Sequence, residues 1–440
     1  MYTRASASDW NDFKQPSWTA KDLPLMKHLE TYQKPVNNDT HGYNGPIAIS
    51  NGGSVTALAQ DFLHTSDAVG IPFSDDLQDS NTSHTSEIWA KYINRHTGRC
   101  SGTATAYIHS VMDTQSNLYL CTNAHINHII FKDNKAIGVA YIPMHNRMHG
   151  GKLVETIVKG RKCVVLSSGM LGMPQILERS GMGNKELLKK LDIKVVSDLL
   201  GVGEEYQDHY TMLLRRWCLV YHVSNESQTL DNFLWGVPKV QCELFQEWEV
   251  SPEKVHLSSN AINARFKICP TKEELKEMGP ELNKFWDKYF KDKPDKPVMF
   301  GSIVSGAYVD HTLLPPRKYI TMFQYLEYLA SHGKIHIQLQ SPYKELFFNS
   351  GFMNNKADFV PIRWSYKPSV DIDIKTVKEL QPDGLSVGIY MGTWHQPGEQ
   401  YDALKVHESI KYSAEDDMAI NNWISGSCFH LLLSHVSVDE

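Results

Sequence analysis

"CVVLSSGMLGMPQILERSGMG", Cys163 to Gly183, changes character twice within one short stretch. Cys163–Val164–Val165–Leu166 is an unbroken apolar run of the length a covered parallel strand has, and it predicts a buried strand. Gly169 and Gly172 allow the backbone to turn sharply, and Pro174 suits a first helical turn, where a missing N–H costs nothing. Gln175 to Ser180 then has room for two turns of helix, which Gly181 ends in a left-handed cap. The prediction is a helix over Pro174–Ser180. A strand, a glycine turn and a helix N-terminus form a common seat for a phosphate or a flavin. Ser168, Gly169 and Pro174 are therefore candidate ligand neighbours, although the same pieces also build turns that hold nothing.

Outward from this stretch, the N-terminal half alternates short helical and extended signals. In "DLPLMKHLETY", Asp22 is placed to cap a helix with Pro24 in its first turn. "HGYNGPIAIS" reads as a glycine–proline loop entering a short strand. "NLYLCTNAHINHIIF" and "AIGVAYI" are two β-rich runs joined by Lys132–Asp133–Asn134–Lys135, a hairpin-like connection. Beyond Gly183 come a helix near Lys185–Leu191, a strand near Lys194–Val196 and the loop "GVGEEYQDHY". Past Tyr210 a charged helical segment, "TKEELKEMGPELNKFWDKYF", precedes extended patterning in "PVMFGSIVSGAYVDHT" and "KYITMFQYLEYLASHGKIHIQLQSP". There Ile335, Ile337 and Leu339 alternate with Lys334, His336 and Gln338, as in a half-buried strand. The main boundary is placed near Tyr210.

Composition narrows the class. A chain of 440 residues with 41% hydrophobic residues has ample apolar material for two to three domain cores. A formal charge of -6 argues against a nucleic-acid or anionic-membrane partner. Seven cysteines at irregular spacing form neither a disulfide framework nor a C-x-x-C metal pair, which favours a reducing compartment. "MYTRASASDWNDFKQ" lacks the apolar stretch of a signal peptide, and no run of eighteen apolar residues occurs. His145 and His149 are spaced as metal ligands can be, but a loop context without a third ligand predicts no metal site. No Gly-x-Ser-x-Gly elbow suggests a hydrolase.

These stretches together resemble the glucose–methanol–choline (GMC) flavin oxidoreductases, and within them the short-chain alcohol (methanol) oxidases. "GMLGMPQILERSGMG" is similar to the family's second signature, a Gly-Ala-x-x-Ser-Pro turn closing on Ser-Gly-Ile-Gly. "LGVGEEYQDHY" resembles its Pro-Gly-Val-Gly-x-Asn-Leu-Gln-Asp-His segment. "MYTRASASDW", "HTGRCSGTATAYIHS", "DKPDKPVMFGSIVSGAYVDHT", "KYITMFQYLEY" and "GTWHQP" resemble stretches of the alcohol-oxidase branch, collinearly from Met1 to Ile424. Met170 and Met173 stand where the signature has a small residue and a Ser/Thr. Leu200 and Glu205 replace a Pro and an Asn, and Ser369–Gly384 is shorter than the family pattern.

The resemblance implies an α/β fold (α+β overall): an incomplete FAD-binding, Rossmann-like domain and a substrate domain with a mostly antiparallel sheet and covering helices. The expected division is 1–209, 210–424 and a divergent tail, 425–440. FAD is the implied cofactor, with Ile126 at the adenine, Ser168, Gly169 and Pro174 beside the flavin, and Met1 at the end of the loop covering it. The family's Gly-x-Gly-x-x-Gly unit would precede Met1, and its catalytic Trp-His would follow Ile424, where "SGSCFHLLLSHVSVDE" stands instead. His430 and His435 do not align with the catalytic His, so no catalytic residue is assigned. His209 reads as a loop-satisfying group. The implied partners are a small primary alcohol and O2, without nucleic acid or membrane, and a homo-oligomer is compatible. The implied localisation is intracellular, cytoplasmic or peroxisomal. The implied chemistry is alcohol oxidation with O2 as acceptor, absent from the 440 residues taken alone. The alternatives are a non-catalytic remnant that does not hold FAD and, on the same fold, a hydroxynitrile lyase, which the oxidase-like stretches disfavour.

Overall fold

The computed structural model describes residues 1–14, 23–36, 39–144, 154–209, 219–223, 228–308, 316–365, 388–390, 401–402, 413–415, 417–418 and 420–422. Asp22, His145, His149, His430, His435, all of Ser369–Gly384, "GTWHQP" and the 425–440 tail lie outside them. The chain divides into two compact units, one built from residues 1–113, 209–330 and 355–440, the other from 114–208 and 331–354.

The first unit is organised by a seven-stranded sheet. In spatial order its strands are Tyr401–Asp402, Gly388–Tyr390, Leu219–Val223, Lys318–Leu326, Met299–Val304, Ile262–Ile268 and Thr85–Ile88, with antiparallel neighbours throughout. Met299–Val304 is buried at every position, so both faces of the sheet are covered there. On one face lies the helix Ala57–Ala68, started by the Thr56 side chain accepting from the Ala59 N–H. Its Phe62 ring stacks on Phe266 of the sheet at 5.8 Å. The charged segment forms two helices, Lys272–Glu277 behind a Thr271/Glu274 capping box and Pro280–Tyr289 with proline in its first turn. The mostly antiparallel sheet with helices is the expected one. Its edge strand Thr85–Ile88, however, comes from well before Tyr210.

The second unit holds the opening stretch. Ala124–Lys132 and Lys135–Pro143 pair antiparallel, Lys132 facing Lys135, and Asp133 and Asn134 take positive φ as a two-residue hairpin turn requires. Thr156–Lys159 adds a third strand. The helix Gly169–Arg179 packs on Ala124–Lys132 and on the hairpin Lys334–Ile337/Leu346–Asn349. The helix Lys185–Lys190 is capped by Asn184, and the short parallel pair Met182–Gly183/Ser197–Asp198 flanks it.

Four expectations are corrected here. Cys163–Leu166 is not a strand of any sheet among the described residues, and Val165 is 80% exposed. An apolar run becomes a buried strand only when neighbours hydrogen-bond and cover it, and among the described residues none does. The helix starts at Gly169 and carries Pro174 inside it, so the glycine turn ends at its first residue. The strand placed near Lys194–Val196 is Ser197–Asp198, and Leu339 lies exposed beyond the end of Lys334–Ile337.

Candidate functional site

Gly169 opens its helix at φ +75°, a backbone conformation that glycine adopts without strain. Nothing lies within 4 Å of where a Cβ on Gly169 would stand. Ser168 occupies the N-cap position without making a side-chain cap. The N–H groups of the first turn have no partner within the helix. Pro174 supplies no N–H to the ladder, which leaves the Met170 carbonyl without its usual donor. Ser168, Gly169 and Met170 are exposed, and Pro174 is half-buried.

The other end of this helix is tightly held. Ser180 closes it, and Gly181 follows at φ +84°, where any Cβ would overlap the Lys194 carbonyl. The Ser180 hydroxyl accepts the Ile129 N–H at 2.8 Å, and Arg179 Nε donates to the Asn127 carbonyl at 2.9 Å. Their backbone partners, the Ile129 N–H and the Asn127 carbonyl, belong to the strand that carries Ile126.

Ile126 is half-buried opposite Tyr141, and the register shifts between Ile126 and His128 in a β-bulge. Asn127, the extra residue, donates from Nδ2 to Glu155 while its buried Oδ1 has no hydrogen-bond partner. Asn127 is tied to the C-terminal end of a helix whose N-terminal end is Gly169. Eleven residues at ~1.5 Å each separate those ends by roughly 16 Å. A ligand reaching both must be elongated.

Glu178 is fully buried on the same helix. Its Oε1 meets His336 Nδ1 at 2.7 Å, and its Oε2 accepts the Ile337 N–H at 2.9 Å. The other ring nitrogen, Nε2, meets Glu204 Oε1 at 3.0 Å. Burial pushes the Glu178 carboxyl above the usual carboxylate range, against the opposing pull of the His336 and Ile337 hydrogen bonds. This cluster joins the two stretches that carry the family-like motifs, 169–183 and 200–210, through Glu178 and Glu204. Sequence reading placed His336 only as the polar side of an alternating strand. Nothing in sequence pairs it with Glu178, which stands 158 positions away.

Met1 belongs to the first unit and is exposed. The Tyr2 N–H donates to the Ala90 carbonyl at 2.9 Å and its side chain is buried. Burial lowers the Met1 amine, and the nearby Lys91 ammonium lowers it further. The "YQDHY" polar groups have protein partners: Tyr206 O–H donates to Asp208, Gln207 meets His332, and His209 Nδ1 meets the Leu326 carbonyl at 3.1 Å. No cluster of three metal-ligating side chains occurs among the described residues. Nor is any described helix long and apolar enough to cross a membrane.

A glycine-led helix N-terminus and a bulged strand with an unpaired acceptor in one unit, and an antiparallel sheet in the other, are parts that an α/β nucleotide-cofactor protein uses. Residues 1–211 match the family model described as GMC oxidoreductase. Alcohol oxidase 1 of Komagataella phaffii is 39% identical over 466 aligned residues, covering 96% of this chain and 69% of the relative. Alcohol oxidase of Candida boidinii is 38% identical with the same coverage. The chain belongs to the GMC oxidoreductase family, and its cofactor is FAD. Among solved structures, a formate oxidase matches with a TM-score of 0.75 at 17% identity, over 96% of this chain and 70% of that one. A fungal aryl-alcohol oxidase matches with a TM-score of 0.66 at 15% identity, over 96% and 72%. At such identities these two matches establish the fold alone.

The residues present fit a flavin dinucleotide. Open space at Gly169 and first-turn N–H groups that have no partner inside the helix suit its anionic or carbonyl oxygens, and the orphaned Asn127 Oδ1 beside Ile126 suits a base amine.

Proposed function

We propose that the chain carries part of an FAD seat and the substrate-side sheet of an oxidase acting on the CH–OH group of small primary alcohols, with O2 as acceptor. The observation that supports this most is the collinear likeness to alcohol oxidases across both sequence regions, at 39% identity over 96% of the chain. Bound FAD would accept the hydride from the alcohol carbon and pass its electrons to O2. Ser168 and Gly169 would hold the cofactor through first-turn N–H groups, with the Ile126–Asn127 bulge of the same unit at the base. The protein's part is to hold the alcohol, orient it and keep water out. By this reading the protein is intracellular, cytoplasmic or peroxisomal, with residues 1–209 as the cofactor part and 210–424 as the substrate part.

We infer that the 440 residues taken alone do not complete the reaction. They contain no Gly-x-Gly-x-x-Gly to grip the pyrophosphate, and no described residue is assigned as the base. General-base loss by itself typically costs about 10²–10⁴ in rate. A second reading, a non-catalytic remnant, is favoured by the exposure of Cys163, Val165, Met170 and Leu171. The test is to purify residues 1–440 under mild conditions, record the visible spectrum and assay peroxide with methanol and ethanol. The expected product has no stoichiometric flavin band and forms no alcohol-dependent peroxide. Stoichiometric flavin with alcohol-dependent peroxide would overturn the inactivity and require a base within the chain.

A further inference from the structure

We propose that Glu178, His336 and Glu204 form a positioning triad that couples the helix Gly169–Arg179 to the segment 199–206 and fixes where the helix presents Ser168 and Gly169. The inference rests on the reading above only in taking that helix N-terminus as the cofactor end.

The geometry is that of a pin through three elements. Glu178 comes from the helix, Glu204 from the loop, and His336 from the strand Lys334–Ile337 between them. Both ring nitrogens of His336 face carboxylate oxygens, at 2.7 and 3.0 Å. Two such contacts require the ring to donate from both nitrogens, or one carboxyl to carry the proton in its place. The Glu178 carboxyl has no water to fall back on, since it is fully buried and its second oxygen is committed to the Ile337 N–H. Loss of the His336 donor therefore leaves a buried acceptor unsatisfied at the core of the joint.

The loop is laid against this pin by backbone contacts. Gly203, at φ +81°, passes so close that a Cβ would stand 2.7 Å from His336 Nδ1. The Gly203 carbonyl accepts the Ile335 N–H at 2.7 Å, and Tyr206 and Gly333 exchange two backbone hydrogen bonds at 2.8 Å. The other charged groups here are engaged elsewhere. Arg179 binds the Asn127 carbonyl, Glu205 pairs with His332, and Lys334 lies over Phe347. The triad thus has no competing ion to replace a lost member. With Pro174 interrupting the ladder, the first turn is held less by its own hydrogen bonds and more by how the helix body is anchored.

The test is amide hydrogen exchange of the full chain without FAD, comparing wild type with Glu204→Gln, His336→Asn and His336→Gln. Glu204 is partly exposed, so its variant folds, and neutralising it is expected to speed exchange in both 199–206 and 170–179 by at least about threefold. An Asn amide reaches the position of Nδ1 and keeps the Glu178 contact, so His336→Asn preserves slow exchange at 176–181. A Gln amide reaches the position of Nε2 and forfeits that contact, so His336→Gln loses it. Change confined to 199–206 in Glu204→Gln, or identical behaviour of the Asn and Gln variants, would overturn the proposal. Adding FAD to the wild type separates the two readings. If Ser168–Gly172 is not slowed while the variants behave as expected, the cofactor assignment fails and the triad stands.

Discussion

At the scale of single residues, the first unit stakes much of its stability on buried charge. Arg265 is fully buried between Trp89 and Phe300, 4.7 and 4.9 Å from their rings, and pairs with the fully buried Glu87 at 2.7 Å. Lys34 holds the other carboxylate oxygen at 2.9 Å. Burial alone would raise the Glu87 carboxyl, but Arg265 and Lys34 outweigh it and hold it below the usual range. Arg265→Met removes one of two cations from a carboxylate that water does not reach. Denaturant unfolding is expected to show a loss of about 3–5 kcal/mol, and a loss below about 1 kcal/mol would mean Lys34 suffices alone.

A second network, Arg4–Glu30–His41–Asp76, responds to pH from both sides. His41 lies between Glu30 and Asp76 at 2.9 and 3.0 Å and stacks on Tyr32 at 3.6 Å. Burial pushes the Glu30 carboxyl up, yet His41, Tyr2, Arg4 and the Gly42 N–H together bring it below its ordinary 4.5. Burial pushes the His41 ring down, yet Asp76 and Glu30 together raise it above 6.5. The Glu30 contribution is present above its unfolded value and is lost as pH falls through the lowered one. The His41 contribution is present below its unfolded value and is lost as pH rises through the raised one. Thermal stability should therefore peak between pH 4.5 and 6.5 and fall on either side. His41→Gln should flatten the alkaline fall, and an unchanged alkaline limb would refute this assignment.

At the scale of elements, local chemistry was legible where it is self-contained. The hairpin at Asp133–Asn134, the Gly181 stop, the helix after Asn184 and the Ile335/Ile337 alternation follow from turn preference, capping and period, and all are present. What was not legible depends on neighbours. Cys163–Leu166 has a strand's composition and none of its cover. Glu178 looks like an ordinary helix-surface acid until the Lys334–Ile337 strand arrives over it. Val165→Asp provides a direct check. With the side chain 80% exposed, the substitution should change stability by no more than about 0.5 kcal/mol, whereas a buried strand would lose several-fold more. Gly203→Ala is the converse case. Its positive φ and the His336 ring leave no room, so a clear drop in melting temperature is expected, with faster exchange in 199–206.

At the scale of the whole molecule, family membership rests on likeness spread along the chain rather than on any single motif. The candidate cofactor residues divide by unit: Ile126, Ser168, Gly169 and Pro174 in the second and Met1 in the first. Sequence showed a glycine turn running into a helix and the anion-binding chemistry of N–H groups at a helix start, although it began the helix at Pro174 rather than at Gly169. It could not show the Asn127 bulge or the roughly 16 Å spacing, which arise from pairing between distant segments. The central claim is that this helix start and this bulge hold the two ends of FAD. Amide exchange of the full chain with and without excess FAD tests it most directly. Slowed exchange at Ser168–Gly172 and at Ala124–Ile129, with Met299–Val304 unchanged, is the predicted result. Unchanged exchange at both segments under saturating FAD, or protection only elsewhere, would contradict it.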